Sequence, residues 1–99
     1  MVRHSVEFLE KRKAKLMEKR IRLCREAIYQ LDKVMKAGEK IAEEHKNAGR
    51  LERAILVLAD TRDKYKLVDA LYKGYCSRVE VQILAVEKEI EEVEARTQV

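Results

Sequence analysis

The chain has 99 residues, enough for one domain with a modest core. Charged residues make up 40% of it and aromatic residues only 5%, and it contains neither proline nor tryptophan, whereas a globular domain is about a quarter charged. Because 46% of the residues are hydrophobic and recur at helical spacing, the composition argues against disorder and favours long helices. No apolar run approaches the length of a bilayer span, so we expect any membrane contact to be peripheral.

The first third of the chain is basic on one side and apolar on the other. Residues 1–36 hold eleven Lys or Arg against five Asp or Glu, a net charge of +6, whereas residues 37–99 hold eleven against thirteen, a net charge of −2. On a helical wheel the apolar residues cover an arc of roughly 160°, which contains Leu9, Leu16, Met17, Ile21, Leu23, Cys24, Ala27, Ile28 and Leu31. An arc this wide predicts that the first helix packs against more than one neighbouring helix or protein surface. The residues opposite it are basic: Lys11, Lys15, Lys19, Arg22 and Arg25. The charge asymmetry predicts either an anionic partner for this first segment or self-association through the complementary ends of the chain.

The middle of the chain contains a polar gap, which predicts a turn. Between Ala42 and Leu51 the only apolar residue is Ala48, and Asn47 and Gly49 readily adopt the left-handed conformation that ends a helix. We therefore expect one all-α domain over residues 1–99, a long antiparallel two-helix hairpin with helices over about 5–46 and 50–97. The alternative is a single continuous helical rod. Gly38 and Gly74 lie inside apolar periodicity, and we expect both to be tolerated helix glycines.

The second helix carries a narrow, coiled-coil-like stripe. Its apolar positions alternate in steps of four and three, through Tyr72, Cys76, Val79, Ile83, Val86, Ile90 and Val93. Leu51, Ile55 and Leu58 fit the same register. That register then places Arg62 and Asp69 on the seam, the line along which the stripe faces the other helix. Because Tyr65, Leu67, Val68 and Leu71 shift the apolar stripe in this stretch, we expect looser packing there.

No residue pattern indicates an enzyme, a metal site or a cofactor. A lone hairpin offers no enclosed pocket for a small-molecule substrate, and we expect His45 to be a solvated loop residue. A net charge of +4 spread over a long chain gives too small a footprint for us to expect nucleic-acid binding. Cys24 and Cys76 lie at paired depths on the two apolar stripes. A disulfide between them is geometrically conceivable, but our expectation is buried free thiols.

The segments KIAEEHKNAGRLERAILVLADTRDKYKLVDALY and VEVQILAVEKEIEEVE carry a family resemblance. Gly49 is followed five residues later by Ala54, then by an aliphatic run over residues 55–58 and a late stripe of isoleucine and valine. Together with the basic first helix, this order resembles the ESCRT-III (charged multivesicular body protein) family over about residues 10–95. The resemblance implies the hairpin core at the N-terminus of a longer protein.

The resemblance also implies a function. A family member would be a polymerising subunit of a membrane-remodelling or scission machinery, cytoplasmic and peripheral on endosomal or other membranes. Lys11, Lys15, Lys19, Arg22 and Arg25 would then bind anionic membrane. Self-association and association with related subunits would use helical faces that include Leu67, Val68 and Leu71. The alternative is a coiled-coil interaction or tethering module with no membrane role, in which the basic stripe is only a solvated face.

Overall fold

The structure is a computed structural model that describes residues 5–97. It contains two helices, α1 (Val6–Asn47) and α2 (Leu51–Thr97), and no strand among the described residues. The two helices pack as an antiparallel hairpin, which confirms the predicted all-α fold and the turn near Asn47 and Gly49. The continuous rod is therefore wrong.

The turn has hydrogen bonds of the Schellman type. The N–H of Gly49 donates to the carbonyl of Lys46 (N···O 3.0 Å), and the N–H of Arg50 donates to the carbonyl of His45 (N···O 2.8 Å). Gly49 has a φ of 75°, the one positive φ in residues 5–97, so it supplies the left-handed residue that the motif needs. Asn47 is the last residue of α1 and does not share this conformation.

The chain divides into two compact units. The first, here called the terminal unit, combines the stretch of α1 up to Cys24 with the stretch of α2 from Gly74 onward. The second, the turn unit, contains Arg25–Lys73 and therefore the turn itself. The two units have different interiors.

Large aliphatic side chains fill the interior of the terminal unit. Leu9 of α1 is fully buried and packs against Val86 and Ile90 of α2. The predicted stripe of α2 is confirmed here, since its buried members are Val79, Ile83, Val86 and Ile90. Burying one such side chain contributes about 1.5–3 kcal/mol. Beside this core, Lys13 of α1 forms an ion pair with Glu87 of α2 (Nζ···Oε1 3.3 Å).

Small residues fill the interior of the turn unit. Its buried residues are Gly38, Ala42, Ala54 and Thr61. The Thr61 hydroxyl donates to the carbonyl of Val57 (2.8 Å), so its burial leaves no unpaired polar group. These side chains allow the two helix stretches to approach closely, because glycine presents no Cβ to the opposite helix.

The predicted seam register was wrong in the turn unit. Ile55 is 66% exposed and Arg62 is exposed as well, while the residues that face α1 are Ala54 and Thr61, one position earlier in the chain. Asp69 is half-buried and pairs with the exposed Lys73 four residues later on α2 (2.8 Å). The physical reason is that Gly38 opens a space that Thr61 fills, which a register based on large apolar residues does not detect.

Candidate interaction surfaces

A groove of about 980 Å³ lies on one flank of the turn unit. Its apolar lining comes mainly from α2, where Ile55 is 66% and Leu58 is 46% exposed, and Met35 of α1 contributes to it as well. Charged residues of both signs, Arg62, Asp63 and Lys66, complete the lining. We call this the Ile55 groove; its remaining lining residues are Ala59, Thr61 and Tyr65. Sequence reasoning missed it because Ile55 and Leu58 were assigned to the seam.

A second, smaller groove of about 280 Å³ contains the predicted subunit-contact residues. We call it the Leu67 groove; it is lined by Gln30, Leu67, Val68, Leu71 and Tyr72. Leu67 is 70% and Leu71 is 54% exposed, whereas Val68 is half-buried. The Tyr72 hydroxyl donates to Oε1 of Glu26 (2.9 Å), which connects α2 to α1 next to the groove. The structure thus brings the three predicted residues together; their role as a subunit contact stays a prediction.

The two grooves lie on opposite flanks of the seam within the turn unit. At about 100° per residue, Ile55 and Leu58 lie on one side of the buried Thr61, and Leu67 and Leu71 lie on the other. The turn unit therefore presents two different apolar flanks. A surface with two distinct flanks can make a contact in which one flank of a copy meets the other flank of the next copy.

The predicted basic face is exposed. Lys11, Lys15, Lys19 and Arg22 are all exposed in the terminal unit, and Arg25 is exposed in the turn unit. Lys11 pairs with Glu7 (3.5 Å), whereas Lys15, Lys19 and Arg22 form no ion pair with any residue in 5–97. Three basic side chains of the terminal unit are thus exposed without a carboxylate in ion-pair contact.

An aromatic side chain accompanies this basic face. Phe8 is 48% exposed and lines a shallow groove of about 360 Å³ together with Lys11, Arg12, Ala14 and Lys15. Sequence reasoning missed Phe8, although its spacing of three and seven residues from Lys11 and Lys15 places all three on one side of a helix. An apolar ring surrounded by cations is a suitable surface for the interface of an anionic bilayer.

The apolar arc of α1 extends beyond the part that α2 covers. In the terminal unit Met17 is 39% and Ile21 is 50% exposed, and in the turn unit Ile28 is 69% exposed. Each unit therefore leaves part of the arc open to solvent. The prediction of more than one packing neighbour requires such open positions, but the neighbour itself stays a prediction.

Two exposed lysines outside the basic face, Lys36 and Lys73, are each paired with a carboxylate. A hydrogen bond to Asp32, supported by its negative charge, raises the pKa of Lys36, and Asp69 raises the pKa of Lys73 in the same way. These two lysines are therefore cationic at neutral pH, each beside a carboxylate. In the described part of the chain, no group of three or more His, Cys, Asp or Glu residues could hold a metal ion. No helix within 5–97 is long and apolar enough to cross a membrane.

Comparison of the chain with protein-family models, with curated proteins and with solved structures finds no match. The resemblance to the ESCRT-III family therefore rests on the sequence features alone.

Proposed function

We propose that this protein is an assembly subunit whose hairpins associate through the two apolar flanks of the turn unit. The assembly lies on anionic membrane through the basic face of α1 and takes part in membrane remodelling, as in the ESCRT-III family that the sequence resembles. The protein would then be cytoplasmic and peripheral on the membrane, because the cytoplasmic leaflet carries the anionic lipids. The observation that carries the proposal is the pair of exposed apolar grooves on opposite flanks of one unit.

Exposed apolar area supports self-association. Large exposed apolar patches on a soluble protein mark interaction sites, and the most exposed leucines and isoleucines of the turn unit include Ile55 (66%) and Leu67 (70%). Burial of such side chains between copies would contribute about 25 cal/mol per Å² of apolar surface removed from water.

Flank-to-flank contact favours an open polymer over a closed dimer. When the Ile55 groove of one copy meets the Leu67 groove of the next, one unused groove remains at each end of the row of copies. Such a heterologous contact repeats until a rotation closes it into a ring or it continues as a filament. Assembly through both grooves is thus the geometry that a polymerising subunit needs.

Charge supports the membrane part of the proposal. A basic residue near an anionic leaflet contributes about 1 kcal/mol, so Lys15, Lys19 and Arg22 together contribute about 3 kcal/mol. Phe8 adds apolar contact at the same surface. A coiled-coil tether remains the second candidate, since its only requirement is the buried seam of the terminal unit.

A mixing experiment tests assembly directly. Ile55→Glu places a charge in one groove and Leu67→Glu places a charge in the other, and both positions are exposed enough for the fold to tolerate the change. Each variant alone should lose higher oligomers in sedimentation velocity. The two variants mixed together should form a dimer and nothing larger, because one intact pair of grooves remains between them.

The control variant for this experiment is Leu56→Glu. Leu56 is 68% exposed but lines neither groove, so its variant should assemble like the unaltered chain. Circular dichroism should show that all three variants keep their helix content. A monomeric unaltered chain at every concentration would contradict the assembly proposal, and equal loss of assembly in Leu56→Glu would move the contact away from the grooves.

A further inference from the structure

The two cysteines of the chain lie in the terminal unit, one on each helix. Cys24 is exposed and Cys76 is half-buried, so the expectation of two buried thiols was wrong for Cys24. The ion pair of Lys13 with Glu87 shows which residues of the two helices face each other in this unit. Cys24 and Cys76 follow the same pairing, because their residue numbers add up to the same value as those of the ion pair.

The pKa of the Cys76 thiol is raised, and Cys24 contributes to the shift. Burial, the negative charge of a Cys24 thiolate and a hydrogen bond with Cys24 all raise the pKa of the Cys76 thiol. Glu80 raises this pKa further, whereas Arg20 lowers it. The helix register thus places the two thiols at the same level of the facing helices, and the effect of Cys24 on the pKa of Cys76 agrees with that placement.

We infer that Cys24 and Cys76 form a redox modification site: a reversible disulfide that joins α1 to α2 in the terminal unit by exchange with a small-molecule disulfide such as oxidised glutathione. The site requires no residue from outside the unit. It is independent of the proposed assembly and membrane functions, because neither cysteine lines a groove of the turn unit or belongs to the basic face.

The exchange runs in two balanced steps. The thiolate of the exposed Cys24 attacks one sulfur of oxidised glutathione, forming a mixed disulfide and releasing one glutathione thiolate, which takes up a proton. Cys76 then gives its proton to solvent, and its thiolate attacks the Cys24 sulfur of the mixed disulfide. A second glutathione leaves, so the two cysteine thiols are oxidised and one glutathione disulfide is reduced to two thiols.

Closure of this bond restricts the unfolded chain over the whole segment from Cys24 to Cys76, which includes the turn. A disulfide that closes a long loop stabilises mainly by removing conformations from the unfolded state. The oxidised chain should therefore unfold at a higher urea concentration than the reduced chain. Treatment with dithiothreitol should reverse the shift.

The test titrates the full reduced chain with mixtures of reduced and oxidised glutathione. Samples are acid-quenched, free thiols are alkylated, and intact masses are measured by mass spectrometry. We expect a species that has lost two hydrogen atoms, that carries no alkyl group, and that remains one chain under denaturing, non-reducing conditions. Proteolytic mapping should identify a peptide pair joined through Cys24 and Cys76.

Cys24→Ser and Cys76→Ser serve as matched variants. Each keeps one thiol, so neither can react beyond a mixed disulfide with glutathione, and neither should show the shift in urea midpoint on oxidation. Persistence of both free thiols in fully oxidised glutathione would overturn the inference. Products limited to mixed disulfides or to disulfides between chains would overturn it as well.

Discussion

Gly38 of α1 lies directly against the side chain of Thr61 of α2, so that a Cβ built on Gly38 would overlap the Thr61 side chain. The Thr61 hydroxyl is directed to the carbonyl of Val57 on its own helix (2.8 Å). The contact therefore depends on shape, with a missing side chain on one helix opposite a compact β-branched one on the other. Close packing at this contact holds the two helix stretches of the turn unit together.

This contact makes the two helical glycines respond in opposite ways to alanine. Gly38→Ala should destabilise the chain by about 1–3 kcal/mol, because the added methyl group overpacks the interior. Gly74→Ala is the control, since a Cβ there meets nothing within 4 Å, and it should stabilise by up to about 1 kcal/mol through helix propensity. Urea unfolding followed by circular dichroism measures both. Equal stabilisation by the two substitutions would contradict the packing role of Gly38.

The turn provides a second matched pair. Gly49→Ala should cost about 1–2 kcal/mol, because the left-handed conformation is unfavourable for a residue with a Cβ, and no neighbouring atom lies within 4 Å to add a clash. Asn47→Ala should change stability by no more than about 0.5 kcal/mol, since Asn47 does not adopt a positive φ. Urea unfolding distinguishes the two residues. A larger loss at Asn47 than at Gly49 would show that the cap depends on the asparagine side chain.

The sequence predicted the interior of the terminal unit better than that of the turn unit, because the two interiors consist of residues of different size. In the terminal unit the interior consists of large aliphatic residues such as Val86 and Ile90, and their heptad spacing is visible in the sequence. In the turn unit the interior consists of Gly38 and Thr61 with two alanines, and hydrophobic periodicity does not mark such residues. The larger apolar residues beside them were consequently assigned to the seam.

The same effect explains which parts of the candidate surfaces were predictable. The exposure of the basic face followed from its position opposite a broad apolar arc, and Lys15, Lys19 and Arg22 are indeed exposed. The Ile55 groove was not predictable, because it exists only when the seam runs through Thr61. An error of one residue in the assumed register therefore causes both the true seam and the groove beside it to be missed.

The ion pair between Lys13 and Glu87 should contribute a small, salt-dependent coupling. Both side chains are partly shielded, with 29% and 40% exposure, and their charged atoms are 3.3 Å apart on different helices. A double-mutant cycle with Lys13→Ala and Glu87→Ala should give a coupling energy of about 0.2–1 kcal/mol that falls at high salt. The comparison pair, Glu7 and Lys11, lies within α1 and is far more exposed. A coupling for Lys13 and Glu87 that stays unchanged in high salt would contradict an electrostatic origin.

Membrane binding should depend on the unpaired basic residues of α1. Changing Lys15, Lys19 and Arg22 to glutamate should abolish sedimentation with vesicles that contain phosphatidylserine, because the change removes about 3 kcal/mol of attraction and adds repulsion. For the unaltered chain, pelleting should rise with phosphatidylserine content and fall as salt is raised. Neutral phosphatidylcholine vesicles should pellet little of it.

The matched control changes three exposed basic residues of α2, Arg53, Arg78 and Lys88, to glutamate. Both triple variants alter the net charge by the same amount, so a difference between them reports the location of the binding surface. The α2 variant should retain more binding than the α1 variant, and circular dichroism should show equal helix content. Equal loss in both variants would mean that net charge alone drives the interaction. Salt-insensitive pelleting, or none at all, would leave the apolar flanks as the only interaction surfaces and favour the tethering module.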